Sequence, residues 1–194
     1  MADASSLPVE VAHRRALDWT GEVIDAITED QWAAPTPCED WDVRTLTNHV
    51  VAGNLWAAEL ARGATIEQVG TRLDGDQLTP TPAAAYRASA ELAAAAFEAP
   101  GALDAPCAVS YGPVPGSVYA GHRFLDVLIH GWDLAEATGQ SVAMPEDLAE
   151  TCLAILEPQI ELMVAAGAFA AGPPPPADAG PEVRLLALAG RASG

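Results

Sequence analysis

The segment from Ser117 to Thr138 constrains the fold more than any other part of the chain. Its apolar residues fall on nearly every side of a helical projection, and Gly139 follows it as an end signal. A helix of this kind is stable only where other helices cover it. The segment therefore predicts the central helix of an all-α bundle, in a chain of 194 residues that is half apolar and long enough for one sizeable core.

Three further segments carry helical periodicity or end signals. Glu10 to Ile27 has an apolar stripe, Asp42 is an N-cap for a helix that ends at Arg62 and Gly63, and Thr81 with Pro82 opens an Ala-rich helix to Phe97. Leu103 to Gly116 contains three prolines and two glycines, which favours a long loop with a strand-like piece. Together with Ser117–Thr138, these segments predict four helices of a helical bundle.

The C-terminal part adds one more helical segment and a tail. Pro145 to Ala166 reads as a helix that Pro158 must kink or divide. A proline-rich connector over residues 172–181 separates it from a short apolar tail, Glu182 to Arg191, which we expect to pack back. No internal repeat is visible, so residues 1–194 are predicted to form a single domain.

The charge and composition exclude several classes of partner. The net charge of −18 rests on 27 acidic residues against nine arginines, which repels nucleic acid and anionic membranes. No apolar run approaches the ~18 residues of a membrane span, and the N-terminus lacks a secretion signal, so we expect a cytoplasmic protein. The three cysteines form no CxxC pair, which fits a reducing compartment. Cys38 is the best placed for reactivity, because it precedes a helix N-terminus.

One row of polar side chains interrupts the apolar central helix. Arg123, Asp126, His130 and Asp133 follow one another at steps of three or four, so they share one face. Asp126 and His130 can converge on one ion, and His49, on the margin of the second helix's apolar face, can join them. The spacing alone leaves two alternatives open: a metal site, or an i,i+4 ion pair with a hydrogen-bonded core histidine.

Three stretches in order resemble a known family. They are Thr36-Pro37-Cys38-Glu39-Asp40-Trp41-Asp42-Val43-Arg44-Thr45-Leu46-Thr47-Asn48-His49-Val50, His130-Gly131-Trp132-Asp133-Leu134-Ala135 with Ala137-Thr138-Gly139, and Leu185-Leu186-Ala187-Leu188-Ala189-Gly190-Arg191. The chain is thereby similar to the DinB-like family, in the branch related to the N-terminal domain of mycothiol-dependent maleylpyruvate isomerase. The resemblance implies a DinB-like four-helix bundle with an extra C-terminal helical segment and tail.

The resemblance also implies a divalent metal held by His49, Asp126 and His130. Aspartate stands in the middle here, where the isomerase branch has a glutamate pattern and many other DinB-like proteins have histidine. Zinc is the first expectation, with nickel, iron or manganese as alternatives, and mycothiol is the implied cosubstrate. Arg123 and Asp133 are candidates for orienting a ligand or binding substrate, although Arg123 can pair with Asp126 and Asp133 can be a surface or capping residue.

Three functions follow as hypotheses. The first is a thiol-dependent transferase or isomerase in which the metal activates a low-molecular-weight thiol toward a small electrophile. The second is a hydrolase that uses metal-bound water, and the third is a non-catalytic ligand sensor or interaction protein. Isomerases of this branch have a second domain that contributes to the active site, and this chain ends soon after the bundle, so maleylpyruvate isomerisation itself is not expected. A homodimer is compatible with the Ala-rich third helix.

Overall fold

The computed structural model of the chain describes residues 6–165, 174–176 and 178–191. Contacts divide these residues into two compact units: Val9–Val142, and the described residues of Met1–Pro8 with Ala143–Gly194. That the whole chain forms a single domain stays a prediction of the sequence. Within the described residues, no helix is both long and apolar enough to cross a membrane.

Four long helices build the unit Val9–Val142. They are α1 (Val9–Asp25), α2 (Val43–Ala61), α4 (Pro82–Glu98) and α5 (Gly116–Ala137), with a short α3 (Ile66–Val69) after α2. Helices α1 and α2 each pack on both α4 and α5, so α1 and α2 occupy opposite corners of a four-helix bundle. Most of α5 is buried, as its all-round apolar sequence predicts.

The helix starts are fixed by the capping residues that the sequence indicated. The carboxylate of Asp42 accepts a hydrogen bond from the backbone N–H of Thr45 at 2.7 Å, and α2 begins at the next residue. Thr81 accepts from the N–H of Ala84, with Pro82 in the first turn of α4. The loop before α2 also contains a 3-10 turn, Glu29–Gln31, and an isolated bridge between Pro35 and Asp42.

The proline-rich segment before α5 forms an antiparallel hairpin rather than a mostly irregular loop. Strands β1 (Pro106–Val109) and β2 (Gly112–Pro115) pair with Val109 opposite Gly112, which leaves a two-residue turn. Gly116, where the hairpin passes into α5, has no room for a side chain, because an added Cβ would lie 1.9 Å from the carbonyl oxygen of Ala102. The hairpin is therefore held tightly at the N-terminus of α5.

The second unit is helical, and Pro158 divides its first segment as predicted. It contains α6 (Glu146–Leu156), a 3-10 turn (Glu157–Gln159), α7 (Ile160–Ala165) and α8 (Pro181–Leu188). Helix α8 begins one residue before the predicted tail, packs on α6, and buries Leu185 and Leu186. The predicted connector over residues 172–181 lies partly outside the described residues.

Candidate metal centre

The structure brings His49, Asp126 and His130 together between α2 and α5. Nε2 of His49 lies 3.3 Å from Oδ1 of Asp126, and Nε2 of His130 lies 3.6 Å from the same oxygen. All three ligand atoms lie within 4.8 Å of one another. Bonds of about 2.0–2.2 Å to one ion would place neighbouring ligand atoms about 3–4 Å apart, so the arrangement has the dimensions of a metal site.

The other ring nitrogen of His130, Nδ1, contacts a buried carboxylate. Nδ1 of His130 lies 2.9 Å from Oδ2 of Asp133, a carboxylate with no exposed surface. A carboxylate in that position keeps the proton on Nδ1, so that Nε2 is the nitrogen that would release its proton and bind a metal. Asp133, expected either to orient a ligand or to lie at the surface, is fully buried and in contact with His130.

Cys38 also belongs to this cluster of side chains. Its position before a helix N-terminus did not indicate these contacts. Its Sγ lies 3.3 Å from Oδ2 of Asp133 and 3.8 Å from Nδ1 of His130. Thr36 holds the loop in place, since its hydroxyl accepts from the backbone N–H of Cys38 and donates to the carbonyl of Trp41. Cys38, Asp133 and His130 thus form a second group of close ligand atoms that shares His130 with the first.

The centre favours positive charge. Burial lowers the pKa of His130, but the bonds to Asp133 and Cys38 and the charge of Asp126 together raise that pKa to about 10. Burial raises the pKa of Asp126, yet the charge of Arg123 and the bond from His49 hold it well below its usual range. Asp126 therefore remains a carboxylate, as a metal ligand must.

Arg123 pairs with Asp126, which was one of the two roles that the sequence left open. Its Nη1 lies 3.0 Å from Oδ2 of Asp126, and its Nη2 donates to the side-chain oxygen of Asn54 at 3.4 Å. Gly53 makes room for this guanidinium, because an added Cβ would stand 2.4 Å from Nη2. The two carboxylate oxygens of Asp126 thus face different partners: Oδ1 faces the imidazoles and Oδ2 faces Arg123.

Trp41 covers the two imidazoles. Its ring centroid lies 4.8 Å from that of His49 and 6.3 Å from that of His130. His49 is the most exposed of the three candidate ligands, with 37% of its side-chain surface accessible, against 15% for His130. The centre is therefore buried on the His130 side and open on the His49 side.

A cavity of about 490 Å³ adjoins the centre. Its wall comes from α2, α3, the hairpin turn and α5, and it is lined by Gly53, Trp56, Leu60, Ile66, Val109, Ser110, Tyr111, Tyr119, His122, Arg123 and Asp126. Asp126 and Arg123 belong both to this wall and to the candidate centre. A cavity of this size accommodates a small organic molecule.

Two residues of the cavity wall form a pair that sequence spacing did not reveal. The hydroxyl of Tyr111 and Nδ1 of His122 are 2.7 Å apart. His122 lies one turn before Asp126 on the polar face of α5, and this spacing is the sequence pattern that marks it as a candidate site residue. Its partner, Tyr111, lies in the hairpin turn. Helical periodicity therefore does not predict that Tyr111 and His122 are in contact.

Comparison with known proteins places these features in a family. The sequence profile described as Mycothiol maleylpyruvate isomerase N-terminal domain matches residues 13–135. Two uncharacterized proteins of Mycobacterium tuberculosis, from strains CDC 1551 / Oshkosh and ATCC 25618 / H37Rv, are each 36% identical over 189 residues, covering 93% of this chain and 96% of either relative.

Solved structures agree on the fold. The crystal structure of the mycothiol-dependent maleylpyruvate isomerase aligns with a TM-score of 0.56, and that of a mutant of it with 0.57. Each alignment has 16% sequence identity and covers 75% of this chain and 68% of the other. The predicted all-α, DinB-like fold is confirmed. By profile and by its relatives, this chain belongs to the mycothiol maleylpyruvate isomerase N-terminal domain family.

Proposed function

We propose that this protein is a divalent-metal-dependent enzyme that transfers a low-molecular-weight thiol of the mycothiol type to a small electrophile, or isomerises the electrophile through such a thiol. The observation that carries the proposal is the convergence of His49, Asp126 and His130 beside a cavity of about 490 Å³. Membership in the mycothiol maleylpyruvate isomerase family supports the choice of a thiol over other cosubstrates.

The donor set fits a metal ion. Two imidazole nitrogens and one carboxylate oxygen bind Zn²⁺ with a further position open, and they also suit Ni²⁺, Fe²⁺ or Mn²⁺ with more than one open position. The His130–Asp133 contact at 2.9 Å supplies the outer support that such a histidine needs. Zinc is our first assignment, because three protein ligands satisfy it with one position left for a substrate.

The chemistry would be divided between the ion and the side chains. A bound divalent ion lowers the pKa of a coordinating thiol, which gives a thiolate nucleophile at neutral pH. The protein contributes the rest: Trp41 covers the imidazoles, and Arg123 holds one oxygen of Asp126 so that the other faces the histidines. The apolar wall formed by Trp56, Leu60 and Ile66 would exclude water from the reacting thiolate.

The first experiment tests the site through its metal content. Purified protein should contain about one divalent ion per chain, and His49→Ala and His130→Ala should each lose most of it. The matched control is His122→Ala, which removes the other imidazole of the polar face of α5, one that is not in the proposed ligand set. Equal metal in wild type and both ligand variants would contradict the assignment.

The second experiment tests the use of a thiol. Cobalt-substituted protein is titrated with mycothiol or a small analogue, and we expect a new sulfur-to-cobalt charge-transfer band that saturates. Turnover of an electrophile should then require the thiol. Ester or amide hydrolysis without any thiol would instead favour the hydrolase, and a metal that stabilises the fold with no turnover in either assay would favour a sensor.

A further inference from the structure

The Tyr111–His122 pair lies in the wall of the cavity, apart from the proposed metal ligands. The tyrosine hydroxyl and Nδ1 of His122 are 2.7 Å apart, so one donates a hydrogen bond to the other. Tyr111 is 65% exposed, whereas His122 is half-buried in α5. The pair thus places an exposed tyrosine and a partly buried histidine in the wall of one cavity.

The hairpin and its junction with α5 fix the position of Tyr111 relative to His122. Tyr111 occupies the two-residue turn between β1 and β2, and Gly112 follows it with a φ of +116°, a conformation that favours glycine. The hairpin passes directly into α5 at Gly116, whose amide N–H donates to the carbonyl of Ala105 at 2.8 Å. Tyr111 is thereby held over the first turns of α5, where His122 lies.

We propose that His122, oriented by Tyr111, is a catalytic acid–base residue that accepts the proton of the incoming thiol and returns it to the product. This inference rests on the proposed function. In this proposal, Nδ1–H of His122 is assigned as the donor to the oxygen of Tyr111 in the 2.7 Å contact, which leaves Nε2 unprotonated and able to accept. Tyr111 is a positioning residue, because it acts through the imidazole.

The proton and electron balance of the step is complete. Nε2 of His122 takes the S–H proton, and the sulfur electron pair forms a bond to the β carbon of an α,β-unsaturated carbonyl compound. The π pair of the alkene moves toward the carbonyl oxygen. The imidazolium then gives its proton to the α carbon as that pair returns, so R–S and H are added across the double bond.

The local electrostatics agree with a base. Burial lowers the pKa of His122, so the imidazole is neutral at neutral pH and free to take a proton. Burial also raises the pKa of Tyr111, so the phenol remains protonated through the reaction. Asp126 lies one helical turn further along α5, which brings the base close to the edge of the metal centre.

The test combines chemical rescue with a structural readout on the metal-loaded protein. We expect His122→Ala to keep its metal and its affinity for the thiol while the rate of thiol addition falls about 100-fold. Added imidazole should restore part of that rate, and more basic imidazoles should restore more. Tyr111→Phe should lower kcat about tenfold with little change in KM. Val118→Ala, on an exposed part of α5 outside the cavity wall, is the control.

Nitrogen-15 spectra of the His122 ring give a readout that does not depend on turnover. We expect the Nδ1–H tautomer in wild type and a mixture of tautomers in Tyr111→Phe. A wild-type Nε2–H tautomer, an unchanged rate in His122→Ala, or a lost rate that no imidazole restores would each overturn the proposal. Wild type that binds no thiol would reject the proposed function and this inference together, whereas normal thiol turnover in His122→Ala rejects the inference alone.

Discussion

His130 holds Asp133 at 2.9 Å through Nδ1, while its Nε2 lies 3.6 Å from Asp126. One imidazole therefore joins a fully buried carboxylate to the proposed metal ligands. The relationship makes Asp133 a determinant of metal affinity although it is not itself one of the three proposed ligands. Loss of the charge of Asp133 should therefore weaken metal binding even with all three ligands in place.

The first prediction concerns Asp133→Asn. The amide keeps the shape of the side chain but loses the charge that stabilises Nδ1–H, so the affinity for zinc should fall about 10- to 100-fold. Competition with a chromophoric chelator measures this, and Asp133→Glu is a partial control that restores the charge at a changed distance. An unchanged affinity in Asp133→Asn would mean that the tautomer of His130 is fixed by something else.

The second prediction concerns Gly53→Ala. A methyl group would stand 2.4 Å from Nη2 and 2.5 Å from Nη1 of Arg123, so the guanidinium must leave Asp126 or α2 must shift. We expect a loss of about 1–3 kcal/mol in the free energy of unfolding, despite the higher helix propensity of alanine. Urea unfolding measures it. Gly180→Ala, where an added Cβ meets no atom within 4 Å, is the control.

The helices could be predicted because each carries its own local signals. The Asp42 cap, the Thr81-Pro82 pair and the Pro158 division appear in the structure where the sequence placed them. The ends of the helices differ by one or two residues, since a residue or two at either end costs little free energy. The family resemblance named the three residues that the structure then brings within 4.8 Å.

The remainder of the site depends on contacts that no local pattern encodes. Cys38 reaches Asp133 over 95 residues of sequence, and Tyr111 reaches His122 only because a hairpin turns back onto α5. The two strands of the hairpin were not predicted in full, because proline is common in loops as well as in edge strands. Pairing of this kind is decided by tertiary packing, so periodicity could identify the polar face of α5 but not the partners that come to it.

The third prediction concerns His13, whose side chain is fully buried against Phe97 with no hydrogen-bond partner for either ring nitrogen among the described residues. Burial, with smaller effects from the charges of Arg123 and Arg14, lowers its pKa from 6.5 to about 3. The folded protein therefore keeps His13 neutral, while the unfolded chain takes up a proton as the pH falls below 6.5. The contribution of His13 to the free energy of unfolding therefore falls through this window and levels off below about pH 3.

The change attributable to His13 is about 5 kcal/mol across the whole window. Urea unfolding at pH 7.5 and pH 5 should show a steeper loss for wild type than for His13→Leu, because the carboxylates titrate in both proteins and cancel in the comparison. Parallel losses in the two proteins would show that folding does not lower the pKa of His13.

The last prediction separates two roles of Asp126, which offers Oδ1 to the histidines and Oδ2 to Arg123 at 3.0 Å. Asp126→Asn should weaken metal binding and also leave a buried guanidinium without its counter-charge. For a fully buried pair the second effect costs roughly 3–5 kcal/mol, and here we expect roughly 2 kcal/mol because Asp126 is partly exposed. The double variant Arg123→Met/Asp126→Asn removes both charges, so it should recover stability in the metal-free protein but not metal affinity. Unfolding in the presence of a chelator measures the first quantity and chelator competition the second. If the double variant regained metal as well as stability, Asp126 would be a partner of Arg123 and not a ligand, and the centre would rest on the two histidines alone.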